Sequence, residues 1–157
     1  MTHYWLMKSE PGECSVDDAL AAPNATVPWV GVRNYQARNF MRDAMRVGDG
    51  VLFYHSSCAE PGIVGIARVA SMPYPDPTQF DPTSPYFDAK SKPEEPRWLL
   101  VDVQVLEKTR NLALPELRDH DALQQLVVLR KGNRLSITPV ESPHWRIILG
   151  LLGTAQR

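Results

Sequence analysis

The chain has 157 residues, 43% hydrophobic and 22% charged, the make-up of one ordinary globular domain with enough length to bury a core without staples. A formal net charge of −1 argues against a broad, non-specific polyanion binder, yet leaves room for a local basic site on a neutral body. Cys14 and Cys58 form no CxxC or Cys/His metal spacing, and no run approaches the roughly 18 apolar residues of a membrane span.

In chain order, His3 to Lys8 alternates and predicts an opening strand, with Tyr4 and Leu6 on one side and Trp5 and Met7 on the other. Ser15-Val-Asp-Asp18 reads as a capping box, an acid replacing the usual Glu/Gln, for a short helix through Ala21. Trp29-Val-Gly is a turn. Asn34 then caps a helix through about Arg46. On that helix Arg38, Arg42 and Arg46 recur at i, i+4 and i+8, a basic stripe beside the apolar Ala37, Phe40, Met41, Ala44 and Met45. Val51 to His55 is a strand, and so is Ile63 to Val69, where Gly65 marks a bulge or close approach.

Met72 to Pro96 is too rich in proline for a regular helix or central strand, and predicts a long loop. Its aromatics, Tyr74, Phe80, Tyr86 and Phe87, argue against plain disorder. Trp98 to Lys108 is the longest strand candidate. Pro115 opens a short helix, Asp121 to Leu129 is helical or mixed, and Leu135 to Thr138 is a strand. Ser142-Pro143 reads as an N-cap and first helical residue, followed by Trp145, Ile148, Leu149 and Leu152 at helical spacing and a Gly153 stop. Five or six strands without a βαβ rhythm predict an α+β domain with a mixed, largely antiparallel, barrel-like sheet and peripheral helices.

The catalytic motifs GxSxG, HExxH, Walker A and GxGxxG do not occur. His55 and Cys58 could form a nucleophile pair, but three positions apart at a strand end they point to opposite faces. Binding features are denser. Lys8-Ser9-Glu10 leaves the first strand as a polar exit, which also suits an ordinary turn before Pro11. Trp29 suits either a pocket wall or the core. Arg33, Asn34, Gln36 and Asn39 suit base edges or phosphate, and equally capping and solvation. Arg130-Lys-Gly-Asn-Arg134 is a second basic turn. Aromatics, amides and two basic segments on a neutral body point to a small, specific site for a flipped or single-stranded base.

Seven segments, YWLMKSEP, WVGVRNYQARNFMRD, GDGVLFYHSS, PGIVGIARV, YPDPTQFD, PRWLLVDV and RKGNRLSITPV, resemble the EVE-domain family in family order across nearly the whole chain. That family includes the thymocyte nuclear protein group and many small bacterial proteins. The resemblance implies a PUA-like fold, a mixed β pseudo-barrel, filling residues 1–153 with a short tail over 154–157. It also implies kinship with the YTH domain, whose aromatic cage holds a methylated base. The function it implies is that of a non-enzymatic module reading a modified base, such as methylated or hydroxymethylated cytosine, in DNA or RNA.

The resemblance places Lys8, Ser9, Trp29, Asn34, Tyr54, His55, Ser56 and Ser57 at the base pocket, with Trp98, Tyr74 or another loop aromatic closing the cage. Arg33, Arg38, Arg42, Arg130, Lys131 and Arg134 are then expected along the nucleic-acid backbone. No cofactor, metal or membrane partner is expected. The reduced cysteines and an N-terminus without signal-peptide features predict a cytoplasmic protein, taken as a monomer. The competing reading is an enzyme or binder acting on a free modified nucleotide or similar ligand in the same pocket, through Cys58 or His55 with Lys8 or Glu10 as helper.

Overall fold

β1 (Tyr4–Ser9) is the strand around which the chain is organised. It pairs in parallel with β3 (Gly50–His55) and antiparallel with β8 (Ile137–Val140). β3 continues antiparallel to β4 (Gly62–Val69), β4 to β7 (Asp102–Ala113), and β7 to β2 (Thr26–Pro28). The sheet order is therefore β2-β7-β4-β3-β1-β8. The structure, a computed structural model, describes residues 3–154; residues 1–2 and, of the expected tail, 155–157 lie outside them. Among the described residues β2 and β8 are edges and do not pair, so the barrel-like sheet is an open, mixed one of six strands.

The alternation of β1 is resolved as two cores, one on each face of the sheet. Trp5 and Met7 join Trp29, Met41, Phe53 and Val101 on one side. Leu6 joins Leu52, Ile66, Leu112, Leu117 and Trp145 on the other, with Tyr4 stacked on Trp145 at 4.4 Å. A strand buried on both faces contributes apolar area twice, at about 25 cal/mol per Å².

Local signals act as expected at several points. Ser15 caps α2 (Val16–Ala21) with a complete box, accepting from Asp18 N while Asp18 accepts from Ser15 N. α1 (Pro11–Cys14) is a single turn before it. Gly65 sits where the β4–β7 register shifts. α4 (Leu114–Asp119) begins beside Pro115, and Asp121 to Leu129 forms two short 3-10 turns.

Other boundaries differ. The long strand breaks at Val101 into β6 (Leu99–Leu100) and β7, and β6 pairs with β5 (Tyr74–Pro75) in a small second sheet. Trp98 thus precedes the strands. β8 starts two residues later than the alternation suggests. α5 (Ser142–Leu152) takes Glu141 as its N-cap, without a side-chain cap bond, and ends at Gly153 with φ 67°. The basic helix starts under Asn34, whose Oδ1 accepts from Ala37 N, as α3 (Tyr35–Asn39). It then widens into a π turn over Phe40–Ala44, where Met45 N donates to Phe40 O. The extra residue in that turn breaks the Arg38/Arg42/Arg46 stripe and keeps Met41 and Met45 in the core. No helix of the described residues is long and apolar enough to cross a membrane.

Candidate functional site

The strand ends of β1 and β3 open on a cleft of about 700 Å³ whose floor and walls include Lys8, Ser9, Trp29, Ser56, Tyr86 and Arg134. The parallel β1–β3 pairing puts Ser9 opposite His55, and Ser56 N donates to Ser9 O at 3.0 Å. Ser57, at φ 55°, turns the chain back toward β4 in the left-handed region that costs a non-glycine residue roughly 1–2 kcal/mol. Strain of this kind is retained where the surrounding structure over-determines it. The Ser9 hydroxyl donates to Cys14 O at 2.6 Å, which fixes the α1 turn against the strand end.

Lys8 is half-buried in this cleft, and its ammonium has no ion-pair or hydrogen-bond partner among the described residues. Burial pushes its pKa below the ordinary lysine value. Arg134 lines the cleft, also without a partner among the described residues. Glu10 and Glu13 supply the acceptors. Trp29 is only 6% exposed: its backbone N–H donates to Val101 O, and its ring meets Phe53 edge-on at 5.2 Å. It is a core residue that also lines the cleft.

The other aromatic lining the cleft is Tyr86, which the sequence offered only as one of several loop aromatics. Its hydroxyl donates to Glu13, and burial first, with Glu13 second, pushes its pKa up to about 12. The ring lies directly on Gly31, where a Cβ would come within 2.6 Å of it. Gly31 also has φ 85°. The glycine of Trp-Val-Gly is therefore required twice over, for its turn and for the aromatic seated upon it.

The proline-rich segment holds Tyr86 in place through Asp76 and Arg33. Asp76 is fully buried and accepts from Gly31 N at 2.8 Å, Arg33 Nη1 at 3.1 Å, and Thr78 N and Oγ1 at 2.8 and 2.6 Å. Arg33 spends its N–H donors on Val32 O, Asp76, Thr78 Oγ1 and, twice, Tyr86 O. That uses all five, leaving none for a phosphate. Its guanidinium also lies 5.5 Å from the Tyr86 ring and 5.4 Å from that of Trp98. Trp98 stacks on Tyr35 at 4.8 Å, and Arg38 covers Tyr35 at 4.7 Å. Arg38, Tyr35, Trp98, Arg33 and Tyr86 form a column of cations and rings that clamps the loop to α3.

Of the residues named from the sequence, the structure brings Lys8, Ser9, Trp29, Ser56, Ser57 and Arg134 to one cleft. The others lie elsewhere. Asn34 is spent on its cap. Tyr54 packs in the core of the opposite face. Trp98 is 5% exposed, its indole N–H bonded to Asp88 at 2.7 Å. Tyr74 donates to Asp102 at 2.5 Å, away from the cleft. Arg42 pairs with Asp43 in solvent, Lys131 is exposed on neither cleft wall, and Arg130 lines a second cleft.

His55 accepts from Val16 N at 3.1 Å through Nε2, so that lone pair is occupied in holding α2 to β3. Burial keeps its pKa below the ordinary imidazole value. The unfolded chain then takes up the proton first, so stability is fully present above about pH 6.5 and is lost as pH falls below it through the folded value. Urea unfolding of the wild type should weaken between pH 7 and pH 5 more steeply than that of His55→Gln. Parallel pH profiles for the two proteins would remove His55 from this role.

The EVE-domain family model matches residues 3–151. The chain belongs to the EVE-domain family. This EVE domain is 41% identical to thymocyte nuclear protein 1 of Gallus gallus over 94% of the chain and 68% of that protein. It superposes on the crystal structure of a Pseudomonas putida protein with a TM-score of 0.89 at 48% identity, covering 94% of this chain and 98% of the other. It superposes on human thymocyte nuclear protein 1, solved in complex with DNA containing 5-methylcytosine, with a TM-score of 0.91 at 39% identity, covering 99% and 100% of the two chains.

Proposed function

We propose that this EVE domain binds DNA and reads a modified cytosine, taken out of the stack into the cleft between Trp29 and Tyr86. The observation that carries this reading is the near-complete superposition on a relative solved with 5-methylcytosine DNA. The cleft of about 700 Å³ falls in the range of small-ligand sites. Its chemistry suits a cytosine edge. Glu10 or Glu13 can accept from the exocyclic amino group, while Lys8 and the Trp29 indole N–H can donate to the ring nitrogen and carbonyl. Arg134 at the rim suits the flanking phosphate. A methyl group moved from water to the aromatic wall gains about 0.8 kcal/mol, roughly fourfold in affinity.

The test is a titration with matched oligonucleotides containing cytosine or 5-methylcytosine, as single strands, duplexes and RNA, at low and physiological salt. Salt-dependent binding with a several-fold preference for the methylated DNA is expected. Absence of binding at low salt would overturn the reading, and an RNA preference would redirect it.

Lys8→Met should separate function from stability. A half-buried ammonium with a lowered pKa opposes folding below its folded pKa, and the opposition fades only as pH rises toward 10.5. The variant should therefore melt above the wild type at pH 7 while binding DNA about tenfold more weakly, the scale of one hydrogen bond to a charged group. Unchanged affinity would remove Lys8 from the cleft's chemistry.

A further inference from the structure

We propose that a second cleft, at the N-terminus of α5, is a binding site for a phosphate group. It encloses about 660 Å³ between the start of β1, the end of β8 and the first turn of α5. The proposal does not rest on base reading in the first cleft.

The site is made of donors that lack acceptors. α5 is an 11-residue helix whose N-cap, Glu141, makes no side-chain cap bond. Its first helical bond is Trp145 N to Glu141 O. Pro143 has no N–H, so Ser142 N–H and His144 N–H remain, with no acceptor among the described residues. Such groups and the helix dipole favour an anion.

A second, independent observation comes from the His144 side chain. His144 is 8% exposed, lines this cleft, and its imidazole has no hydrogen-bond partner among the described residues. The sealed, unpartnered side-chain atoms of the described residues belong to Asn111, Asn133 and Trp145. His144 is not among them, and the open space it borders is the cleft. An imidazole with no protein partner keeps an N–H to donate to a phosphate oxygen in the cleft.

Arg130 lines the same cleft with its guanidinium unpaired among the described residues. The other titratable groups on the walls are His3, Tyr4 and the exposed carboxylate of Glu141, the single acid there. Two backbone N–H groups, an imidazole and a fork-shaped guanidinium make a tetrahedral oxyanion the fitting occupant. Arg130 and Arg134 bracket one basic turn, and Arg134 lines the first cleft. Strand β8, with Ile137 beside Met7 and Val140 beside Tyr4, runs from one cleft to the other. Four residues of strand span about 13 Å, a few nucleotides of a nucleic-acid chain. The phosphate could come from a DNA strand or from a free phosphomonoester, and the shared chemistry is the oxyanion.

The experiment is an amide NMR titration of the full chain with inorganic phosphate, against chloride at matched ionic strength. Saturable shifts at Ser142 and His144 are expected, weakened roughly tenfold in Arg130→Gln and in His144→Leu, whose spectra also report folding. Non-saturating shifts spread over all basic residues, or saturation unchanged in Arg130→Gln, would overturn the proposal. Deoxycytidine 5′-monophosphate and a short single-stranded oligonucleotide then separate the sources. If the oligonucleotide shifts Ser142 together with Ser9 and Ser57 and displaces phosphate, the occupant is the DNA backbone. If only the mononucleotide and phosphate act there, it is a free phosphomonoester.

Discussion

Asp76→Ala will lower the midpoint of thermal unfolding by roughly 10 °C, from a loss of about 3–5 kcal/mol when one partner of a buried ion pair is removed. Four donors converge on this fully buried carboxylate: Gly31 N, Arg33 Nη1, Thr78 N and Thr78 Oγ1. Without it the Arg33 guanidinium, 21% exposed, loses its counter-charge, and the Gly31 N–H loses its acceptor. The same change unfastens Tyr86 from Gly31, because Arg33 is what holds Tyr86 O. DNA affinity should therefore fall even at temperatures where the variant is folded. Arg33→Lys should reproduce much of the effect, since an ammonium cannot supply five donors in a planar fork. Differential scanning calorimetry of both variants checks this. A melt within 2–3 °C of wild type for Asp76→Ala would show that the loop is fastened by something else.

Asp76 escapes a reading of the sequence for a physical reason. In YPDPTQFD it stands among prolines, where an aspartate signals a turn, and its partner Arg33 lies more than forty positions away. Pairing across such a distance is a property of topology, which one sequence without neighbours does not encode locally. The opposite holds for β1. Its alternation was legible because the two faces of a strand are fixed by a period of two, and both faces proved to be buried. The capping box at Ser15 and the Asn34 cap were legible for the same reason: each is satisfied within three residues.

The basic helix shows where local reading misleads. Spacing of i, i+4 and i+8 describes a stripe only if every turn is α, and a π turn at Phe40 removes that condition. Arg33 and Arg38 are cations by sequence but structural clamps in the fold, committed to backbone carbonyls and to the faces of Tyr35, Tyr86 and Trp98. The cations that line the two clefts without a partner among the described residues, Lys8, Arg130 and Arg134, come from strand ends and a loop, where no helical periodicity announces them.

Trp29 carries the other large effect, and its test must be built around its burial. Trp29→Ala would cost about 3–5 kcal/mol, because a core aromatic packed on Phe53 leaves a cavity behind it. Loss of binding in that variant would report unfolding as readily as recognition. Trp29→Phe keeps an apolar ring against Phe53 and removes the indole N–H, which has no acceptor among the described residues of the cleft. The expected result is a protein that melts within about 5 °C of wild type, with a stability loss of roughly 1–2 kcal/mol. Its affinity for 5-methylcytosine DNA should fall at least fivefold, the scale of a lost hydrogen bond plus reduced stacking. The dependence of affinity on salt should stay as in the wild type, because that slope counts phosphates neutralised by cations and an indole carries no charge. Arg134→Gln should do the reverse, flattening the salt slope while sparing the preference for the methylated base. If Trp29→Phe retains both affinity and preference, the base does not rest on Trp29, and the reading of this cleft as the place of recognition falls with it.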